Sequence, residues 1–235
     1  MTALNDATVL ITGANGGLGT EFVRQALSRG AARVYATARH PRAWDDERVV
    51  GLALDVTSAE SIRAAAAAAS DTSVVVNNAG ISVPGARVLD TPIDEVRRLF
   101  DTNVFGALQV AQIFAPVLAA NGGGALVDIH SALSWLARGG AYAASKAAFW
   151  SLTNSLRTEL LAQGTQVVGA HLGYTDTPFI AELDVPKEDP ADIVRVIYDG
   201  LERGDHEVLA DDTSRNVKAA LAAPLEVLYP ELAAG

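Results

Sequence analysis

The sequence predicts a doubly wound α/β fold, an open parallel sheet of about seven strands with helices on both faces. Three observations predict it. Short apolar runs alternate with segments of helical periodicity along the whole chain. A glycine-rich turn stands between the first apolar run and the first helix. No Ser/Gly-rich linker, solenoid-period repeat or break in composition interrupts the 235 residues, so residues 1–235 read as one domain.

The elements follow in order. Thr8 to Thr12 is an apolar strand, and Phe22, Val23, Ala26 and Leu27 give Gly19–Arg29 the apolar face of a helix. Arg33–Thr37 and Val49–Leu54 are the second and third strands, Ser58–Ala69 is a helix with an alanine tract of high helix propensity, and Ser73–Asn77 is the fourth strand. Such continuous apolar runs suit strands buried on both faces of a sheet. Asp94–Leu118 is a long helix, Ala125–His130 the fifth strand, Gly140–Leu161 a second long helix and Gln166–Leu172 the sixth strand. Past a loop with Pro178, Pro186 and Pro190, a helix over Ala191–Glu202 and a short strand over Glu207–Ala210 complete the alternation. Ligands of such a sheet gather at the carboxyl ends of its strands.

Composition narrows the function. Hydrophobic residues make up 49% and charged residues 20%, an ordinary globular balance. A net charge of −10 opposes a nucleic-acid partner, which would be met by a basic face. With no cysteine, disulfides and thiolate metal sites are excluded, and scattered carboxylates read as solvated surface, so no metal is expected. Met1–Asp6 is polar and lacks a basic flank followed by an apolar core. No apolar run approaches the roughly 18 residues of a membrane span. A soluble, cytoplasmic protein without a membrane partner is expected.

In Thr12-Gly13-Ala14-Asn15-Gly16-Gly17-Leu18-Gly19 the missing side chains permit a tight turn and bring the helix-start amides close to a pyrophosphate, the Rossmann-type arrangement for a dinucleotide. Gly13, Asn15, Gly16, Gly17, Leu18 and Gly19 are the residues expected there. The second strand runs into Ala38-Arg39, with no carboxylate to hold ribose hydroxyls. Arg39 can instead grip a 2′-phosphate through two charge-assisted hydrogen bonds, so NADP(H) is favoured over NAD(H). Asp55, followed by Val56, closes the third strand at the same edge, where its carboxylate can accept from an adenine amino group. Asn77-Asn78-Ala79-Gly80 closes the fourth; small Ala79 and Gly80 let backbone lie against a ribose, and Asn77 can satisfy strand-end groups.

Tyr142 and Lys146 stand four apart on the second long helix, hence on one face. An ammonium beside a phenol favours the phenolate, so Lys146 can tune Tyr142 as an acid/base that protonates a carbonyl oxygen or deprotonates an alcohol. Glycine turn, Asn77-Asn78-Ala79-Gly80, Asn103 in Asn-Val-Phe-Gly, a serine after the fifth strand and Tyr-x-x-x-Lys appear in that order over most of the chain. In this the sequence resembles the short-chain dehydrogenase/reductase family, in its single-domain, ketoreductase-like branch. The family's Thr-Gly-x-x-x-Gly-x-Gly matches Thr12, Gly13, Gly17 and Gly19.

The resemblance implies an NADPH-dependent oxidoreductase that passes hydride between nicotinamide and a carbonyl or alcohol carbon. It implies a catalytic set of Ser, Tyr142, Lys146 and Asn103, with Lys146 also on the nicotinamide ribose and Asn103 supporting a water chain toward Lys146. Ser131, at the end of the fifth strand, is the preferred serine, and Ser134 stays open as the alternative. Neighbouring strand residues point apart, so His130 reads as core or pocket lining, not as half of a Ser–His pair. Where the family has Pro-Gly after the sixth strand, this chain has Leu172-Gly173. Gly173, Thr175 and Thr177 are the expected nicotinamide contacts. The family's substrate lid corresponds to residues 178–190, short and apolar here at Phe179, Ile180 and Leu183; with Trp135, Leu136, Val83 and Tyr174 it suggests a pocket for apolar ketones or aldehydes. The two long helices resemble those that pair in family dimers and tetramers. The tail, 213–235, departs from the family ending and is expected to cap a pocket or an interface. The competing function is a non-catalytic NADP-binding sensor or scaffold; nucleotide-sugar epimerases of this fold carry a longer substrate lobe.

Overall fold

A single parallel sheet of seven strands forms, in the order β3-β2-β1-β4-β5-β6-β7. Its strands are β1 (Thr8–Thr12), β2 (Arg33–Ala38), β3 (Val49–Ala53), β4 (Val74–Asn77), β5 (Ala125–Ile129), β6 (Gln166–His171) and β7 (Glu207–Leu209). This computed structural model describes residues 2–83 and 87–234. The order reverses between β1 and β4, and the loops that leave these two strands diverge there, opening a crevice at their carboxyl ends.

Strand alternation sorts the apolar residues into two cores. Val9, Ile11, Val74, Val76 and Val127 join Phe22 of α1 (Gly17–Ser28) and Tyr198 of α6 (Pro190–Arg203). Leu10, Val75 and Leu126 face the opposite way, toward Ile62 of α2 (Ala59–Ala68), Phe114 of α4 (Ala107–Ala120) and Leu156 of α5 (Gly140–Glu159). In the first core the Phe22 and Tyr198 rings meet edge-on at 5.3 Å, and the Tyr198 hydroxyl donates to the Phe22 carbonyl at 3.1 Å. That bond satisfies a buried hydroxyl that would otherwise cost about 1–3 kcal/mol.

Two expectations need correction. β3 is an edge strand and largely exposed, so not every strand is buried on both faces. The long helix expected over Asp94–Leu118 is present as one helix over Ile93–Ala120, in which α3 (Ile93–Phe100) and α4 are joined by a π-helical turn, Asp101–Gly106. The wider turn seats Gly106 against β3's following loop, where a Cβ would lie 2.9 Å from the Val56 carbonyl oxygen. The joined helix spans 28 residues and contains an 18-residue window of mean hydropathy 1.5, 44% of it buried. By length and composition it could cross a membrane, which corrects the reading that no apolar run approaches a span: no charged residue stands between Asp101 and Asp128. Val110, Ala111, Phe114 and Leu118 spend one side of it on the sheet.

The tail also folds. Asp211 and Ser214 cap each other at the start of α7 (Asp212–Ala220), followed by α8 (Leu225–Leu228) and a 3-10 turn at Pro230–Ala234. The chain then returns to the segment just before α5: the Ala137 amide donates to the Tyr229 hydroxyl at 2.9 Å, and Arg138 pairs with Glu231 at 2.9 Å.

Candidate active site

The glycine turn is shaped by what each position has to avoid. Gly13 sits at φ +67°, and a Cβ there would lie 3.1 Å from the Ala79 Cα and 3.2 Å from the Asn78 Nδ2. At Gly19 a Cβ would lie 2.2 Å from the Gly13 carbonyl oxygen, and at Gly17 it would lie 2.6 Å from the Thr177 Cγ2. Gly16 alone of these faces open space, with nothing within 4 Å. It is also the N-cap of α1, with no side-chain cap and no acidic residue in the first turn. The N–H end of a twelve-residue helix therefore faces open space beside a glycine, an arrangement suited to a phosphate group. The side chain of Leu18 packs on the first core. Asn15 braces the turn from outside, donating to the His40 carbonyl at 2.7 Å.

The loop after β4 is locked to the turn by two residues of the motifs, Thr12 and Asn78, to which the sequence reading gave no role of their own. The Thr12 hydroxyl accepts from the Asn78 and Ala79 amides at 3.0 and 2.9 Å, and Asn78 Nδ2 donates to the Thr12 carbonyl at 2.9 Å. Ala79 and Gly80 thus face the crevice at the switch point. Asn77 does not: strand alternation turns it into the core, where its amide donates to the Ala107 carbonyl and to Asp128. Arg39 is exposed at the end of β2 and, among the described residues, has no carboxylate within 4.0 Å. Asp55 is turned toward its own loop, its Oδ1 accepting from the Thr57 amide at 2.9 Å and hydroxyl at 2.7 Å; these bonds hold its carboxyl below the usual range, with a smaller contribution from Arg39. The Val56 side chain is buried in the second core.

Tyr142 and Lys146 do project from one face of α5, with Nζ 5.9 Å from the phenol ring centre. Nζ donates to the Ile129 carbonyl at the end of β5 at 2.8 Å. Burial pushes Lys146 down to about 8, opposed by the charge of Asp128. Burial likewise pushes the Tyr142 phenol well above its ordinary value, and an interaction with the Ser131 side chain pulls it back. No hydrogen bond joins the Tyr142 and Ser131 hydroxyls directly, and the choice between Ser131 and Ser134 stays open. Ser131 caps the 3-10 turn Ala132–Ser134, accepting from the Leu133 amide at 3.1 Å, while Ser134 Oγ turns back to the Ser131 amide.

Asn103 lies in the π-helical turn, 1% exposed. Its Oδ1 accepts from the Ile81 amide at 2.8 Å, and its Nδ2 donates to the Ile81 carbonyl at 2.9 Å and to Ser145 Oγ at 3.1 Å. Ser145 in turn donates to the Tyr142 carbonyl at 2.7 Å. The side-chain amide is therefore spent on joining the crevice loop to α5, which leaves its main chain for any link toward Lys146.

These observations place an uncapped helix start, the Tyr142–Lys146 pair and Ser131 at the carboxyl edge of the sheet. The profile of the short chain dehydrogenase family matches residues 7–188. The chain belongs to that family. An uncharacterized oxidoreductase from Myxococcus xanthus is 33% identical over 227 residues, covering 88% of each chain. A ketoacyl reductase from Nostoc is 27% identical over 223 residues, covering 84% of this chain and 77% of its own. A short chain dehydrogenase from Burkholderia cenocepacia, solved in complex with NADP, superposes with a TM-score of 0.91 at 30% identity, over 98% of this chain and 99% of that one.

Behind the Tyr142–Lys146 face this short-chain dehydrogenase carries an aromatic stack. His171, at the end of β6, approaches the Ser131 carbonyl through Nδ1 at 3.2 Å, and Trp135 stacks on it at 3.8 Å. Lys218 of α7 covers the other partner, 4.6 Å from the Trp135 ring. Trp135 is partly buried in this stack, between His171 and Lys218. His130 is core, as its place on the strand requires: its ring meets Phe149 edge-on at 4.6 Å, and burial keeps it neutral. The amide of Gly173 donates to Asp211, a buried residue that no motif signals. Thr175 is buried and bridges to Glu188, so the loop between them closes on itself. Thr177 is the member of the trio that reaches the glycine turn. Within that loop Phe179 is 42% exposed, its ring 6.0 Å from that of Tyr142.

Proposed function

We propose that this protein is an NADP(H)-dependent carbonyl reductase or alcohol dehydrogenase with Tyr142 as its general acid/base. The observation that carries the reading is the meeting of Tyr142, Lys146 and Ser131 beside an open helix N-terminus. Gly16, Gly17 and the start of α1 would hold the pyrophosphate, Lys146 the nicotinamide ribose, and Thr177 the nicotinamide end. When bound, the nicotinamide supplies or accepts hydride. In reduction Tyr142 holds the proton that passes to the substrate oxygen, and the Ser131 hydroxyl orients that oxygen and steadies its developing charge. Lys146, as an ammonium, lowers the cost of leaving a phenolate on Tyr142. Loss of NADPH absorbance with members of a ketone and aldehyde panel would support the reading; no binding of NADPH or NADH would overturn it.

Two predictions follow from single residues. The exposed guanidinium of Arg39 is proposed to bind the 2′-phosphate, which a carboxylate there would repel. Arg39→Asp should weaken NADPH binding by about 100-fold, on the order of 3 kcal/mol for a lost charge-assisted pair, with little change for NADH. Parallel fluorescence titrations check it. Reduction requires Lys146 in its charged form, and that form is lost as pH rises through about 8. The kcat/KM for reduction should therefore be level below this pH and fall about tenfold per unit above it.

The exposed apolar Phe179 and Tyr174 at the mouth support apolar ketones or aldehydes as substrates. Phe105, 51% exposed on the π-helical turn, supports pairing of the long helices in a homodimer or homotetramer, which light scattering would measure.

A further inference from the structure

Between α5 and the carboxyl half of β5 two opposite charges are buried. Lys146 is 6% exposed and Asp128 is 0% exposed. Alternation along β5 sends Leu126 and Asp128 to the α5 side, and Lys146, Phe149 and Thr153 recur along the facing stripe of that helix. Thr153 Oγ1 donates to Asp128 Oδ2 at 2.7 Å, and Asn77 Nδ2 donates to Oδ1 at 3.2 Å. Lys146 Nζ is anchored on the carbonyl of the very next strand residue, Ile129, at 2.8 Å. Ammonium and carboxylate are neighbours that do not touch, since no pair within 4.0 Å joins them.

Both bonds to the Asp128 carboxylate come from uncharged donors, and burial pushes the group up to about 6, so ionising it costs stability. Among the described residues no other carboxylate contributes to the Lys146 ammonium. α4 carries no charged residue. On β5 and β6, burial keeps His130 and His171 neutral; on α5, Tyr142 is a protonated phenol and Arg157 is a further cation, tied to the Val167 and His206 carbonyls. Glu207 of β7, at the far side of this layer, acts on Arg157. We propose that Asp128 is a positioning residue for the Tyr142–Lys146 pair, its carboxylate being the counter-charge that holds Lys146 as an ammonium. The proposal rests on the reading of that pair as the acid/base.

The test does not depend on turnover. The chain has three lysines, Lys146, Lys187 and Lys218, so ε-13C-lysine labelling gives three signals, and Lys146→Arg identifies one of them. In Asp128→Asn the titration midpoint of Lys146 should fall by about one pH unit or more, as expected on losing a close opposite charge, and the alkaline limb of carbonyl reduction should move with it. Equal midpoints in the two proteins would overturn the proposal, whatever the activity. If no carbonyl is reduced by the unaltered protein, the functional reading fails while the lysine titration still decides the counter-charge. Should Asp128→Asn not fold, Thr153→Val keeps the shape and removes one bond to the carboxylate. The small inflection that Asp128 protonation imposes on the Lys146 signal near pH 6 should then move to higher pH, and its absence from the unaltered protein would count against the proposal.

Discussion

Tyr142→Phe is expected to lose carbonyl reduction by about 10²- to 10⁴-fold in kcat, the usual contribution of a positioned general acid. The substitution removes one oxygen and keeps the ring, which lies half-buried with the Phe179 ring 6.0 Å away. None of the hydrogen bonds that fix α5 involves the phenol: Ser145 takes the Tyr142 carbonyl, and Lys146 takes Ile129. The melting temperature should therefore stay within about 2 °C, and NADPH should bind within about threefold of the unaltered protein. Fluorescence titration and stopped assays on the same preparation separate the two quantities. A variant that keeps more than a tenth of the activity would remove Tyr142 from the acid/base role. An unaltered protein that binds NADPH tightly and reduces nothing would instead favour a sensor that retains the fold.

The fold was legible because its main determinants are local. Val74-Val75-Val76 must be a buried strand in any α/β reading, and its alternation then fixes which core each residue joins. The Tyr142–Lys146 pair was legible for the same reason, since helical spacing alone puts both side chains on one face. What sequence could not supply depends on partners distant along the chain. Asn77 and Asn78 are adjacent and chemically identical, yet one is sealed against Asp128 and the other clamps the glycine turn, a division set by the last residue of β4. The stack of Trp135 on His171, 36 positions later, is set by how β6 and the loop after β5 meet and leaves no mark in the local sequence. Asp211 gave no signal because its task, taking the Gly173 amide, exists only once α7 has folded beside β6. The π-helical turn is invisible for a similar reason: Gly106 reads as a weak point in a helix, and only packing against Val56 explains it.

A pair of glycine substitutions should separate the turn's two duties, shape and ligand space. Gly19→Ala would put a methyl 2.2 Å from the Gly13 carbonyl oxygen and 2.8 Å from the Ala14 Cα. Gly13 cannot retreat, being held at φ +67° with Ala79 and Asn78 packed behind it. The better helix propensity of alanine, about 1 kcal/mol, is too small to offset an overpacking cost of about 3 kcal/mol. A fall of several degrees in melting temperature and loss of NADPH binding are expected. Gly16→Ala differs in the first respect only. Its backbone, at φ −113° and ψ 157°, suits any L-residue, and its methyl would meet nothing within 4 Å. Stability should hold or rise slightly as the unfolded chain loses freedom, while the methyl occupies the space proposed for the pyrophosphate and weakens NADPH at least about tenfold. Unchanged binding in Gly16→Ala would mean that the phosphates lie elsewhere, and the open start of α1 would then need another explanation.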